Sequence, residues 1–288
     1  MKISICTIIV TFNPELLRFT EVVTSALDIS DRVVIIDNKS ENIDELSNIC
    51  NGFANYRKLE IIKFEQNSGI ACALNEGVRR CLNFEKPDFI ITLDQDSIVN
   101  IRRDELEGYI ERALSSTGDM FGALALSGSN LHRLEGEFGL LDYSINSGMV
   151  IKSCLFENGL KYREEFFMDQ VDFDLSYQIR KMGKQILVTK KKTLDHRVGT
   201  RVSWLGKEFG IESDWRLYLL YRNSTVLLKE KKITLQFYLH QALYHIIIRL
   251  LGSGVRKNLR LPSVVLTGIS DGLSRDLSNN FKFFDRYH

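Results

Sequence analysis

Four apolar runs, at 3–10, 32–36, 59–64 and 88–93, alternate with helically spaced segments at 15–27, 43–53 and 70–82. The runs are short, nearly continuous and rich in β-branched residues, as expected for strands buried on both faces. Strand and helix alternate this way in parallel, doubly wound α/β sheets with helices on both faces. Pro14 sits where a first helical turn accepts it, Asn67-Ser68-Gly69 reads as a turn and cap, and Pro87 restarts the chain. Ligands of such sheets bind beyond the carboxyl ends of the strands. Thr11, Asn13, Asp37, Asn38, Asp94 and Asp96 all fall there.

The 288 residues are 44% apolar and 26% charged with three prolines, which is enough for a sizeable core and excludes a mostly disordered chain. Lys plus Arg number 38 against 37 Asp plus Glu, so a basic field for nucleic acid is absent. Five cysteines, an odd number without a C-x-x-C pair, fit neither a zinc framework nor a disulfide scaffold. They fit a reduced, cytoplasmic compartment. The longest apolar stretches break well short of the ~18 residues a membrane helix needs. The N-terminal run leads into Phe12-Asn13-Pro14-Glu15 with no small-residue cleavage site, so it reads as a first strand.

The second half is less regular. Strands are expected at 121–126, 145–151 and 185–188, and helices at 168–182, 214–229 and 235–251. No repeat, low-complexity tract or linker separates the halves, which read as one body. From 231 to 270 there are six basic and no acidic residues, and 235–251 is apolar almost all round. This tail is a candidate for peripheral contact with an anionic membrane. Packing on the core or in a homo-oligomer interface is the other reading.

Asp94-Gln95-Asp96 directly follows an apolar strand. In extended chain, residues two apart point the same way, so both carboxylates can face one ligand while Gln95 points elsewhere. Two hard oxygen donors there suit a divalent cation bridging to a diphosphate; a solvated acidic turn is the plainer reading. Asp37 ends the second strand, where a carboxylate can accept from a nucleobase or ribose, or serve as a turn or cap residue. No G-x-G-x-x-G follows the first strand, which argues against a nicotinamide or flavin protein. The stretch from Asn67 to Gly77 puts small residues and Asn75 at one helix start. It allows close approach to an anionic ligand, or close packing on the sheet. Asp169, Asp172 and Asp174 lie within six residues and between aromatics; Asp169 and Asp172, three apart, are expected on one helix face. Such a cluster suits a general base, and equally the acidic first turn of a helix. His196 is a candidate metal or phosphate ligand, or a structural histidine. With no G-x-S-x-G elbow and no P-loop, serine-nucleophile and kinase chemistry have no support.

The ensemble resembles the inverting glycosyltransferases of family 2, with the GT-A fold, most closely a rhamnosyltransferase-like branch. The resemblance rests on Thr11-Phe12-Asn13-Pro14, Asp37-Asn38-Lys39-Ser40, Asn67-x-Gly69, Ala73-Leu74-Asn75-x-Gly77 and Asp94-Gln95-Asp96-Ser97. It continues with Asn146-Ser147-Gly148, the stretch from Phe167 to Asp172, His196, and Tyr221-Arg222-Asn223. It covers about three quarters of the chain. It implies a Rossmann-like, mostly parallel sheet plus C-terminal helices. The nucleotide-sugar-binding half would be 1–100, the acceptor-binding and catalytic half 101–205, and the helical tail 206–288.

The resemblance also implies a nucleotide-sugar donor, probed by Thr11, Asn13, Asp37, Asn67, Gly69, Asn75, Asp94 and Gln95. Mg²⁺ or Mn²⁺ would be held by Asp94 and Asp96, with His196 as a further ligand. Asp172 would be the base toward a glycan or lipid-linked acceptor. Gln178 stands near the place where many relatives have arginine, and Arg180 follows, so Asp169 and Asp174 stay open as alternative bases. The expected reaction is transfer of rhamnose from dTDP-rhamnose to a cell-surface glycan, with inversion by single displacement. It would run in the cytoplasm, at the inner face of the membrane if the tail docks there. Another hexosyl or galactofuranosyl transferase is the near alternative, and a nucleotidyltransferase the distant one.

Overall fold

β1 (Ile5–Thr11) is buried at all seven positions, as a strand covered on both faces must be. The structure is a computed structural model describing residues 3–54, 56–84, 86–126, 136–196, 201–204, 207–210, 212–253 and 258–283. On one face Ile5 and Ile9 join Phe19 and Val22 of α1 (Leu16–Ile29) and Leu106 and Ile110 of α4 (Arg103–Thr117). On the other face Ile8 meets α3 (Gly69–Phe84), where a Cβ on Gly77 would lie only 2.5 Å from the Ile8 side chain. That glycine lets the helix lie flat on the strand.

β2 (Arg32–Asp37), β3 (Leu59–Lys63) and β4 (Phe89–Asp94) complete the parallel half, with α2 (Ile43–Asn51) between β2 and β3. β5 (Ser97–Val99) leaves the sheet. β6 (Phe121–Ala125), β7 (Phe138–Leu141), β8 (Met149–Lys152) and β9 (Gln185–Thr189) add the rest, with α5 (Ser153–Glu157) and α6 (Val171–Lys181) between them. The eight strands run in the order β3-β2-β1-β4-β8-β6-β9-β7, and only β8 and β7 oppose the others. The chain winds outward from β1 to β3, then crosses to β4 on the other side of β1. The switch between β1 and β4 opens the crevice where ligands of such sheets bind.

Packing divides the chain into two units: Met1–Glu164 with Leu175–Arg197, and Glu165–Asp174 with Val198–His288. The second unit contains the paired strands β11 (Arg201–Trp204) and β12 (Lys207–Gly210). Its core joins α7 (Asp214–Lys229), α8 (Leu235–Ser253) and α9 (Leu261–Ser274) around Leu217, Tyr218, Tyr221 and Val264. Among the described residues, no helix is long and apolar enough to cross a membrane.

Several sequence expectations need correction. The helix expected from residue 15 begins at Leu16, because Glu15 is its cap and its carboxylate accepts from the Leu17 and Arg18 N–H groups. The strand expected at 145–151 is confined to Met149–Lys152; Gly148 has φ +77° and closes a turn ahead of it. α6 begins at Val171 rather than 168, since Phe167, Asp169 and Gln170 are left-handed, so Asp169 stands outside the helix that carries Asp172. Cys6 and Cys81 form a disulfide across 75 residues, with Cα atoms 6.2 Å apart, correcting the expectation of five reduced thiols. The packing of α3 on β1 creates this pair, and spacing in the sequence could not reveal it. Cys50 is buried, which pushes its thiol up to about 12.

Candidate active site

Asp94 ends β4, Asp96 follows in the turn to β5, and His196 ends β10 (Leu194–His196), which pairs antiparallel with β5. The register sets His196 opposite Ser97. His196 Nδ1 lies 2.7 Å from Ser97 Oγ, 3.4 Å from Asp96 Oδ1 and 4.0 Å from Asp94 Oδ2. Ser147 Oγ accepts from the Asp94 N–H at 3.0 Å and donates to Ser97 Oγ at 2.7 Å. One polar chain therefore links the Asp94 backbone to the His196 ring. The contact with Asp96 pushes the His196 imidazole above its usual value; partial burial opposes this and the Asp94 charge supports it.

One ligand atom from each of Asp94, Asp96 and His196 lies within 4.8 Å of the others. Two carboxylates and an imidazole suit Mg²⁺ or Mn²⁺. Asp96 Oδ1 is shielded from solvent and accepts no hydrogen bond, a lone pair that a cation would use. The residues present therefore fit the group.

Sequence reasoning missed Arg18. Its place among apolar residues of α1 gave no signal, yet it is only 5% exposed. Nε donates to the Asp96 carbonyl at 2.9 Å, and Nη2 donates to the Asp195 carbonyl at 2.8 Å and carboxylate at 2.9 Å. It ties the Asp96 turn to the strand bearing His196.

The loops after β1, β2 and β4 are knitted together. Asp37 is 1% exposed; Oδ1 accepts from the Thr11 hydroxyl at 3.0 Å and Oδ2 from the Ser40 N–H at 2.9 Å. Asn13, with φ +48°, donates its N–H to Ser40 Oγ at 2.8 Å and accepts from the Glu41 N–H at 2.7 Å. Gln95 Oε1 accepts from the Phe12 N–H at 2.7 Å, so it does point away from its acidic neighbours. Asn38 Oδ1 accepts from the Ser68 N–H at 2.8 Å, and Asn67 Oδ1 from the Gly69 N–H at 3.0 Å, where Gly69 has φ +83°. Asn75 stands apart from these loops. Its amide exchanges hydrogen bonds with the Tyr162 backbone, at 2.9 Å each way, and donates to Glu164 at 2.8 Å. Gln178 similarly donates to the Lys161 carbonyl at 2.9 Å, and Arg180 pairs with Asp142 at 3.2 Å.

The three acidic candidates belong to the second unit and have different surroundings. Asp169 pairs with Arg216 at 2.9 Å. Asp174 is 2% exposed and pairs with Lys232 at 2.6 Å. Asp172 is half-buried in the first turn of α6, with Oδ1 accepting from the Phe173 N–H at 2.9 Å. Left-handed backbone at Phe167, Asp169 and Gln170 costs roughly 1–2 kcal/mol per residue. The surrounding contacts must hold it in place.

The sheet, with its switch between β1 and β4, has the architecture of the GT-A fold. Residues 6–121 match the family model described as Glycosyl transferase family 2, and the chain is a glycosyltransferase. It is 26% identical over 275 residues to the dTDP-rhamnosyl transferase RfbF of Shigella flexneri, covering 90% of this chain and 91% of that one. The fold is shared with the S. aureus TarS 1-349 structure in complex with UDP-GlcNAc, at TM-score 0.58 and 15% identity, covering 94% of this chain and 81% of that one. It is shared also with GalNAc-T7 crystallised with UDP, GalNAc and Mn²⁺, at TM-score 0.57 and 14% identity, covering 98% of this chain and 58% of that one. The chain spans only 50% of another TarS structure.

Proposed function

We propose that this glycosyltransferase moves rhamnose from dTDP-rhamnose to a cell-surface glycan, free or lipid-linked, with inversion at the anomeric carbon. The observation that carries the reading is the Asp94, Asp96 and His196 group at the switch between β1 and β4. The similarity to RfbF along nearly the whole chain supports the rhamnosyl donor. A UDP-sugar donor is the second reading, favoured by the UDP-GlcNAc complex of TarS. The family match lends no support to a nucleotidyltransferase.

Asp94, Asp96 and His196 would hold Mg²⁺ or Mn²⁺, which when bound supplies positive charge against a leaving diphosphate. The loops carrying Thr11, Asn13, Asp37 and Gln95 would shape the nucleotide side. Asp172 would take the proton from the acceptor hydroxyl, with Asp169 and Asp174 as the alternative bases. No covalent sugar–enzyme bond is needed, so one displacement inverts the configuration.

The enzyme would work in the cytoplasm. Leu239, Leu243 and Ile247 of α8 are exposed, while Ala242, Ile246 and Leu250 pack against the core of the second unit. That exposed side supports peripheral contact with an anionic membrane, or a homo-oligomer. Flotation with anionic and neutral liposomes, beside light scattering, separates the two.

The central test is a thermal-shift screen of dTDP-rhamnose against UDP-sugars in Mg²⁺ or Mn²⁺. A donor at a hundredfold excess over Kd stabilises by about 2.7 kcal/mol. A shift with a UDP-sugar and none with dTDP-rhamnose would overturn the rhamnosyl assignment.

A further inference from the structure

We propose that Asn223 is a positioning residue for the acceptor-activating carboxylate, acting through the backbone of the turn that launches α6. The inference rests on the assignment of Asp172 as the base.

Asn223 lies in the middle of α7 and is 0% exposed. Its Nδ2 donates toward three carbonyls: Met168 at 2.7 Å, Asp169 at 2.9 Å and Phe166 at 3.0 Å. The amide has two hydrogens, so the three oxygens share them. Its Oδ1 accepts from Arg222 Nε at 3.0 Å, which fixes which end of the amide faces the turn. Arg222 extends the grip, with Nη2 reaching the Phe166 carbonyl at 3.4 Å and the Glu165 carbonyl at 3.5 Å. Thus Tyr221-Arg222-Asn223 puts two adjacent side chains against the stretch 165–169 ahead of α6.

The turn needs such a donor. Phe167, Asp169 and Gln170 are left-handed without being glycine, and such backbone persists only where its surroundings over-determine it. Their peptide units direct carbonyls to one place, where leaving them unpaired in the interior would be costly. Asn223 supplies the donor there. The turn is continuous with α6: the Gln170 carbonyl accepts from the Asp174 N–H at 3.1 Å and so opens the helix whose second residue is Asp172. Any rotation of the turn therefore rotates the Asp172 carboxylate. Proton abstraction requires hydrogen-bond reach, and a misplacement of about 1 Å costs on the order of a hundredfold in rate.

The test compares Asn223→Ala, Asp172→Asn and the double variant, with the donor selected by the screen above and nucleoside diphosphate release as the readout. Asn223→Ala should lower kcat about 10–100-fold and leave donor KM and calorimetric Kd within about twofold. The double variant should be no slower than Asp172→Asn alone. In Asn223→Asp, only the protonated carboxyl can donate to the turn, so kcat relative to wild type at the same pH should recover as pH falls, a signature that loss of packing would not give. Should Asn223→Ala fail to fold, Asn223→Ser decides through the same readouts. Full kcat in the Asn223 variant beside an inactive Asp172→Asn overturns the positioning role alone. Full activity in Asp172→Asn overturns the base assignment and this proposal with it. Multiplying effects in the double variant would show that Asn223 acts on something other than Asp172.

Discussion

Arg18 Nη2 sits 2.9 Å from the Asp195 carboxylate, and Nε of the same guanidinium holds the Asp96 carbonyl, also at 2.9 Å. A buried cation from α1 thereby spans the two short segments that carry Asp96 and His196. Lysine has no planar fork and cannot make both contacts. Arg18→Lys should weaken Mn²⁺ binding about tenfold, measured by calorimetry with MnCl₂ alone. It should also cost roughly 1.5–3 kcal/mol of stability, the usual worth of hydrogen bonds to a charged group. An unchanged Mn²⁺ affinity would show that the ligands keep their places without the arginine.

Asp96→Asn and Asp172→Asn should fail in different ways. The first should weaken metal-dependent donor binding, with partial recovery in excess Mn²⁺. The second should lower kcat by roughly 10²–10⁴-fold with donor binding nearly intact. Steady-state kinetics at varied Mn²⁺ distinguishes them. Normal turnover in Asp172→Asn, with loss in Asp169→Asn or Asp174→Asn, would move the base to that carboxylate.

Asp37 both closes a loop and stands at the strand end expected to meet the nucleotide. Asp37→Ala leaves the Thr11 hydroxyl and Ser40 N–H without their acceptor and should cost about 1–3 kcal/mol of stability. If the carboxylate also meets the nucleotide, free dTDP should bind about tenfold more weakly. Thr11→Val keeps the carboxylate and should retain dTDP affinity. Equal losses in both variants would make Asp37 a loop residue only, which calorimetry can decide.

The parallel half of the fold was legible because strands covered on both faces need apolar residues at nearly every position, as in β1. The acidic strand end at Asp94 was legible for the same reason: the first charge after such a run marks where the sheet stops. α9 was not foreseen, since Val264, Val265, Thr267 and two glycines disfavour an isolated helix. In the structure Gly268 and Gly272 lie where a Cβ would come within 2.8 Å of Tyr218 and 2.5 Å of Arg222 backbone oxygens, so tertiary packing on α7 overrides propensity. α4 escaped notice because Leu106, Ile110 and Ala113 are its only buried positions among many charges. The start of α6 was misplaced because nothing in Phe167-Met168-Asp169-Gln170 announces left-handed backbone. That turn is imposed by α7, some fifty residues later in the chain.

Burial holds His245 below the usual imidazole value; the nearby Asp169 charge opposes this and Arg216 adds to it. The folded state thus prefers the neutral ring. Its stabilising share is complete above the unfolded value of about 6.5 and is lost as pH falls below it. Glu212 has the opposite sign: burial raises it, so its share is present below about 4.3 and declines as pH rises. Urea denaturation between pH 5 and 8 should show wild type losing stability toward pH 5 relative to His245→Asn. Parallel curves for the two proteins would remove the imidazole as the cause.

The polypeptide leaves the first unit at Glu164 and rejoins it at Leu175, and the ten residues between pack with the C-terminal helices. Sequence neighbourhood and structural allegiance therefore part company at the acidic cluster. A hybrid enzyme that joined the sheet of one relative to the helices of another could not use a single crossover. It would have to carry residues 165–174 along with the helices as an insert, or sever the Asn223 and Arg216 grip on them. Natural recombination within the family faces the same arithmetic, so the excursion and the distant helix α7 should be inherited together.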